Sequence, residues 1–173
     1  MTTNYPTKTI VFIRHAKSSW SDISIDDFER PLNERGMHNA PQIGKYLHNQ
    51  QAIKPDLLLS SPATRALTTA RLIAQELDYP SEQIITDQRL YVFTSDVTEP
   101  LNIIAKIDDQ YKTLCVFGHN PTFTYLCNYF GTHHFDEIPT CGAVCFKIAS
   151  QYWAEIATAP AAMQFYVFPK MLS

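Results

Sequence analysis

Four side chains spread along the sequence are of the types that bind and attack a phosphoryl group: Arg14, His15, Arg65 and His119. Arginine offers a planar pair of N–H donors to phosphate oxygens and stays charged at any working pH. Histidine adds a ring nitrogen that, when neutral, attacks phosphorus. The sequence shows neither a glycine-rich loop of the P-loop type nor an acidic cluster suited to Mg²⁺. These residue types indicate phosphoryl chemistry without a metal.

The first Arg-His pair directly follows an apolar run. Residues 9–13, Thr-Ile-Val-Phe-Ile, are apolar on both faces of an extended chain, which is typical of a buried strand in a parallel sheet. Arg14 and His15 then lie at the carboxyl end of this strand. Ligands of open α/β sheets bind at that edge. A cationic pair at this place predicts an anionic ligand.

Arg65 follows a second predicted strand. The three leucines at residues 57–59 predict this strand, and Ser61 or Thr64 is expected to cap the helix that comes next. Arg65 then falls in the first helical turn, where a cation opposes the helix dipole at a cost of about 0.3–1 kcal/mol. This unfavourable placement indicates a bound anion.

His119 follows a third predicted strand, at residues 113–117. Pro121 suits the first turn of a new helix, so His119 lies between a strand end and a helix start. Right-handed crossovers between parallel strands bring such strand ends together along one edge of a sheet. The two arginines and two histidines are therefore expected to share one site.

The remaining pattern completes an α/β fold. Apolar positions at helical spacing predict one helix from residue 34 to residues 49–51, with Asn33 as the N-cap, and another over residues 96–107. Because the sequence contains no repeat or linker, we expect a single domain, 1–173, built as a three-layer α/β/α sandwich around a mostly parallel sheet. Short extra β segments are predicted at residues 84–85, 141–150, 151–159 and 165–168.

The composition excludes several classes of protein. Hydrophobic residues make up 45%, charged residues 18%, and the formal net charge is −3, which gives no basic face for nucleic acid. No apolar stretch approaches the ~20 residues of a membrane span, and residues 1–6 lack the apolar segment of an export signal. We therefore expect a cytoplasmic protein without a membrane partner. The four cysteines are expected to be buried free thiols.

The sequence contains four motifs in order: R-H-A-K-S-S-W, E-R-P-L-N-E-R-G, S-S-P-A-T-R-A and F-G-H-N-P. Together they resemble the histidine phosphatase superfamily, branch 1, with its phosphoglycerate mutase-like fold. Within it they resemble the small phosphohistidine phosphatases of the SixA type. One Arg-His pair would be a weak signal, but four motifs at predicted strand ends and helix starts make a strong one.

The resemblance implies a role for each matching residue. His15 would be the nucleophile and become transiently phosphorylated, while Arg14, Arg65 and His119 would bind the phosphoryl group and stabilise its charge during transfer. Ser21 stands where many relatives carry an asparagine near the phosphate, so it is a candidate for substrate binding, although a solvent-facing loop serine is an equal alternative. The resemblance implies no metal and no organic cofactor.

One part of the superfamily pattern is missing. Mutase-like members carry a glutamate acid downstream of the second arginine, but residues 89–94, Arg-Leu-Tyr-Val-Phe-Thr, contain no carboxylate. An acid matters most for a poor leaving group. A phosphoramidate nitrogen leaves as neutral imidazole once it is protonated, which favours phosphohistidine over sugar phosphates. Three carboxylates from nearby loops stay open as acids: Asp22, Asp96 and Glu99.

The expected activity is hydrolysis of phosphohistidine on a protein partner, such as a phosphotransfer domain of a signalling relay. Two alternatives stay open. The first is a broad phosphatase or a mutase acting on small phosphate esters, although a mutase needs an acid and a lid that the sequence does not show. The second is a non-catalytic module that binds phosphorylated ligands.

Two other groups of residues invite a functional interpretation. Tyr91 and Phe93 would wall the pocket or pack as ordinary core. A zinc site is suggested by the cluster His133, His134, Asp136, Cys141 and Cys145, but its spacing matches no common zinc pattern. We therefore expect no metal site there.

Overall fold

A six-stranded mixed sheet lies at the centre of the computed structural model, which describes residues 6–173. The strands are β1 (Lys8–Arg14), β2 (Leu57–Ser60), β3 (Ile85–Thr86), β4 (Thr113–Gly118), β5 (Ala143–Ile148) and β6 (Ala161–Val167). Their order in the sheet is β3-β2-β4-β1-β5-β6, and β5 runs against both of its neighbours while the other pairings are parallel. The predicted α/β fold with a mostly parallel sheet is confirmed.

Helices cover both faces of the sheet, as the three-layer prediction requires. They are α1 (Glu34–Asn49), α2 (Thr64–Glu76), α3 (Thr98–Ala105) and α4 (Thr122–Phe130). The side chains of β1 alternate: Ile10 and Phe12 join the core beneath α3 and α4, whereas Val11 and Ile13 join the core beneath α1 and α2. Because this strand is buried on both faces, its sequence is a continuous apolar run.

The register of the central strands sets where the site residues meet. Arg14 pairs with Gly118 across β1 and β4, and Ser60 pairs with Phe117 across β2 and β4. These pairs are the last residues, or next to the last, of their strands. The carboxyl ends of β1, β2 and β4 therefore lie side by side at one edge of the sheet.

The helix starts agree only in part with the sequence predictions. Asn33 caps α1 as expected, because its side chain accepts the Gly36 N–H at 2.8 Å. The predicted cap of α2 by Ser61 or Thr64 is wrong: Ala63 occupies the N-cap position and contributes no side-chain hydrogen bond. The Ser61 hydroxyl instead lies 2.8 Å from a ring nitrogen of His119.

The β segment predicted over residues 151–159 is also wrong. This stretch forms a short 3-10 helix, Trp153–Glu155, followed by turns. The Ser150 hydroxyl bonds locally to Glu155 and to the Tyr152 carbonyl, and such local bonds compete with strand pairing. The Trp153 indole is fully buried and donates to the Tyr111 carbonyl at 2.8 Å. The last strand, β6, follows only after these turns.

Three other expectations concern an export signal, membrane-spanning helices and the cysteines. The predicted lack of an export signal rests on residues 1–6, and of these, 1–5 lie outside the described residues. Within residues 6–173, no helix combines the length and the apolar character needed to cross a membrane. All four cysteines are buried free thiols, as expected.

Close packing at the end of β4 gives a stability prediction. A Cβ atom at Gly118 would lie 2.4 Å from Cε1 of the Phe123 ring, so an alanine there forces the ring to move. We expect Gly118→Ala to lower the free energy of unfolding by about 1–3 kcal/mol in urea titrations. The loss should shrink in a Phe123→Leu background, compared with Phe123→Leu alone. Equal losses in both backgrounds would contradict this explanation.

Candidate active site

The structure brings the predicted arginines and histidines to one edge of the sheet. Arg14 is the last residue of β1, His15 follows it, and His119 follows β4. The Arg65 Nε donates to His15 Nε2 at 3.4 Å, and the centroids of the His15 and His119 rings lie 5.3 Å apart. The predicted convergence of these side chains is therefore what the fold shows.

The His15 ring is held in one tautomer. Its Nδ1 lies 2.7 Å from the Ala16 carbonyl oxygen, which can only accept, so Nδ1 carries the proton. The unprotonated Nε2 then faces Arg65. Burial and the charges of Arg65 and Arg14, opposed by the Ala16 hydrogen bond, together lower the pKa of His15 to about 3. At neutral pH the ring is uncharged, and its lone pair on Nε2 accepts from Arg65 Nε.

Thr69 in α2 fixes the backbone beside this nucleophile. Its hydroxyl accepts the Ala16 N–H at 2.9 Å and donates to the Arg65 carbonyl at 2.7 Å. Thr69 is completely buried, so water does not compete for these bonds. One turn of α2 therefore sets the positions of His15 and Arg65 relative to each other.

The buried Arg65 guanidinium has a carboxylate partner that sequence reasoning missed. Arg65 Nη1 donates to the Asp27 carbonyl at 2.6 Å, and Nη2 donates to Asp27 Oδ2 at 3.1 Å. Asp27 also accepts from the Tyr91 hydroxyl at 2.6 Å and pairs with Arg30. It begins the short 3-10 helix Asp27–Glu29 in the connection between β1 and α1.

The surroundings of Asp27 keep its carboxylate charged. Partial burial raises its pKa, but the Tyr91 hydrogen bond and the positive charges of Arg65 and Arg30 outweigh this effect and lower the pKa below its usual value. Desolvation raises the pKa of Tyr91, and its hydrogen bond to Asp27 acts in the same direction. At neutral pH the pair is therefore a carboxylate and a neutral phenol.

His119 is buried between the nucleophile and an aromatic wall. Its Nε2 contacts the Ser61 hydroxyl, and its Nδ1 has no hydrogen-bond partner within residues 6–173. The Tyr91 and Phe93 rings lie 5.4 Å and 4.9 Å from the His119 ring, which favours the pocket-wall interpretation of that pair. Burial, with smaller contributions from His15 and Arg65, lowers the pKa of His119 to about 2. At neutral pH the His119 ring is therefore uncharged.

Arg14 reaches the loop before β5. Its Nη1 donates to Glu137 Oε1 at 2.9 Å and to the Ile138 carbonyl at 2.7 Å. Its Nε is buried and has no partner among the described residues. Burial lowers the pKa of Arg14, and Glu137 opposes that effect. Each of the two arginines thus pairs with one carboxylate.

Several other candidates from the sequence do not join this cluster. Ser21 is exposed, and its hydroxyl lies 2.9 Å from that of Ser19, so the structure does not bring it to the four central residues. The three carboxylates considered as acids bond locally: Asp22 to Ser24, Asp96 to Thr98 and Glu99 to Arg89.

The suggested zinc residues also lie apart from a common centre. His134 Nε2 lies 3.6 Å from Asp136 Oδ1, while Cys141 and Cys145 are buried in the core around α1 and α2. Within residues 6–173, no three side chains of His, Cys, Asp or Glu are grouped so that they could hold a metal ion.

The lowered pKa of His15 gives a titration prediction. We expect the His15 ring to stay neutral from pH 8 down to about pH 4 and to titrate near pH 3, measured by NMR and assigned with His15→Gln. Between the ordinary histidine pKa of 6.5 and the lowered pKa of about 3, His15 is protonated in the unfolded chain but not in the folded one. The free energy of unfolding should therefore fall as the pH drops from 6.5 toward 3. A His15 midpoint near 6.5 would contradict this.

Comparison with solved structures identifies the fold. The protein histidine phosphatase SixA in complex with tungstate superposes with a TM-score of 0.78 at 18% identity, covering 95% of this chain and 99% of that one. A protein assigned as phosphohistidine phosphatase SixA in Agrobacterium tumefaciens gives 0.74 at 24% identity, with 95% and 99% covered. A mycobacterial glucosyl-3-phosphoglycerate phosphatase gives 0.66 at 12% identity, with 94% and 99% covered.

Sequence comparison identifies the family. The model of the histidine phosphatase superfamily (branch 1) matches residues 10–91, which include Arg14, His15 and Arg65. An uncharacterized protein of Mycobacterium tuberculosis is 32% identical over 170 residues, which cover 91% of this chain and 100% of that relative. The chain therefore belongs to branch 1 of the histidine phosphatase superfamily, and it has the fold of the SixA structures.

Proposed function

We propose that this chain is a metal-independent phosphatase that hydrolyses phosphohistidine on a protein, such as a phosphotransfer protein of a signalling relay, by way of a phosphorylated His15. One observation carries the proposal. The His15 ring is neutral, its proton is held on Nδ1 by Ala16, and its unprotonated Nε2 accepts from Arg65 Nε at 3.4 Å. The nucleophilic atom, His15 Nε2, thus lies in direct contact with a cation that can bind phosphate, Arg65.

The first half of the reaction would transfer the phosphoryl group to the enzyme. His15 Nε2 forms a bond to phosphorus while the bond from phosphorus to the substrate nitrogen breaks, and the electron pair stays with the substrate ring. Arg14, Arg65 and His119 would bind the phosphoryl oxygens as their charge spreads. The substrate ring, protonated on its other nitrogen, leaves as neutral imidazole.

The second half would hydrolyse the phosphorylated enzyme. Water attacks phosphorus, the bond from phosphorus to Nε2 breaks, and the electron pair returns to the His15 ring. Because Ala16 keeps a proton on Nδ1, the ring leaves as neutral imidazole rather than as an anion. The tautomer seen in the structure therefore favours both formation and breakdown of the intermediate.

The surroundings of the site favour a protein as the substrate. Exposed apolar side chains lie on the connection after β1 and beside His119: Ile23 is 92% exposed, Trp20 66% and Phe93 47%. Exposed apolar groups rimmed by polar residues are typical of surfaces that contact proteins. The missing carboxylate at residues 89–94 also favours phosphohistidine, whose leaving group needs the least help.

A substrate comparison tests the proposal. We expect the wild-type protein to release phosphate from a phosphohistidine-bearing protein much faster than from a small sugar phosphate, in buffer without added metal. His15→Ala should lower the rate roughly 10³-fold or more, because the nucleophile is lost. His38→Ala is the matched control, since His38 is exposed on α1.

The other outcomes of this comparison have distinct meanings. A preference for the sugar phosphate would replace the phosphohistidine assignment with an ester phosphatase. Phosphate release that survives in His15→Ala would exclude His15 as the nucleophile. Tight binding of the phosphoprotein without turnover by the wild type would favour a non-catalytic binding module.

The role of Arg65 gives a separate prediction. Arg65→Lys keeps the charge but loses the planar pair of donors, so kcat should fall roughly 10²- to 10³-fold and inhibition by inorganic phosphate should weaken. Arg71→Lys, on an exposed position of the same helix, should behave like the wild type. Thermal unfolding of both variants checks that the fold is kept. An Arg65→Lys enzyme with unchanged kcat would contradict the proposed role.

A further inference from the structure

Asp27 lies where the superfamily pattern leaves a gap. The segment at residues 89–94 has no carboxylate, but its Tyr91 hydroxyl donates to Asp27 Oδ2 at 2.6 Å. Residues 89–94 therefore reach the site, where Tyr91 contacts the Asp27 carboxylate. The carboxylate that is missing from residues 89–94 is thus supplied by the connection after β1.

We propose that Asp27 is the proton-transfer residue of this site, a role that rests on the function proposed above. In the hydrolysis step, Asp27 accepts a proton from the water that attacks phospho-His15.

Geometry places the Asp27 carboxylate beside the reacting phosphorus. The same guanidinium donates from Nε to His15 Nε2 at 3.4 Å and from Nη2 to Asp27 Oδ2 at 3.1 Å. A phosphoryl group on Nε2 must lie against this guanidinium, and so beside Asp27. The side chain is 45% exposed, so water reaches it from the open side of the site.

Phosphoryl binding would turn Asp27 into a better base. In the substrate-free site, Arg65 and Arg30 stabilise the carboxylate. A phosphoryl group that binds Arg65 competes for that positive charge and adds negative charge next to Asp27. Both changes raise the pKa of a carboxyl group. Asp27 then takes up a proton more readily when the intermediate is present than when the site is empty.

The proton balance of the hydrolysis step is simple. The water oxygen forms a bond to phosphorus, the bond from phosphorus to His15 Nε2 breaks, and its electron pair returns to the ring. One proton of the water passes to an Asp27 oxygen. Release of phosphate returns Arg65 to Asp27, which restores the low pKa and sends the proton to solvent.

The other carboxylate beside an arginine is less suited to this role. Glu137 contacts Arg14 at 2.9 Å, but its side chain is 68% exposed. Asp27, by contrast, is held by Arg65, Arg30 and Tyr91 together. Proton transfer needs a group in a fixed position, and this set of contacts fixes only Asp27.

The test compares Asp27→Asn with Asp26→Asn. Asp26 is one residue away, and its side chain accepts the Phe28 N–H at 3.0 Å, a cap that asparagine keeps. The substrate is p-nitrophenyl phosphate, whose leaving group departs without a proton. For Asp27→Asn we expect a rapid burst of about one nitrophenolate per site, accumulation of phospho-His15 in quenched samples and steady-state turnover roughly 10²-fold lower. Asp26→Asn should match the wild type.

Three results would overturn the inference. If the burst and the turnover of Asp27→Asn fall together and phosphate inhibition weakens, Asp27 only positions Arg65. If Asp27→Asn turns over like Asp26→Asn, Asp27 has no role in the reaction. If release of phosphate from p-nitrophenyl phosphate survives in His15→Ala, the proposed function fails too, and this is visible before any Asp27 variant is compared.

Discussion

Burial of the Arg65 guanidinium is the constraint on which the site depends. A buried charge is tolerated only where partners replace the water it has lost. Those partners come from the chain after β1: the His15 ring, and the carbonyl and carboxylate of Asp27. One cation at the start of α2 therefore orders the connection between β1 and α1. Arg65 is therefore paired with a carboxylate before any substrate arrives.

The arginines of the site carry the positive charge and the histidines carry the lone pairs, for a physical reason. Burial disfavours the imidazolium form of His15 and His119, and the nearby Arg65 adds to this effect. The guanidinium cannot respond in the same way, because arginine keeps its proton at any working pH. The positive charge stays on the arginines, and the histidines remain neutral. A phosphate-binding field and a nucleophile thus coexist a few ångströms apart.

Most strands and helices could be predicted because the sequence patterns that mark them are local. An apolar run marks β1, since both faces of that strand are buried, and the Arg-His pair marks its end. Asp27 could not be singled out, because four carboxylates fall within residues 22–29 and only the path of the loop decides which one meets Arg65. Residues 151–159 look strand-like, but the fit of Trp153 against Lys8 and local hydroxyl bonds determine turns there.

The two hydrogen bonds of Thr69 belong to a rigid part of the site, whereas the rim of the site is variable. They tie Ala16 to Arg65 through a single buried hydroxyl, independently of the loops around the site. The rim is built from the connections at residues 19–31, 88–94 and 131–142. Connections of this kind tolerate substitution and insertion far better than buried elements do. Related chains can therefore acquire new substrates by changing the rim, while the distance between nucleophile and cation stays constant.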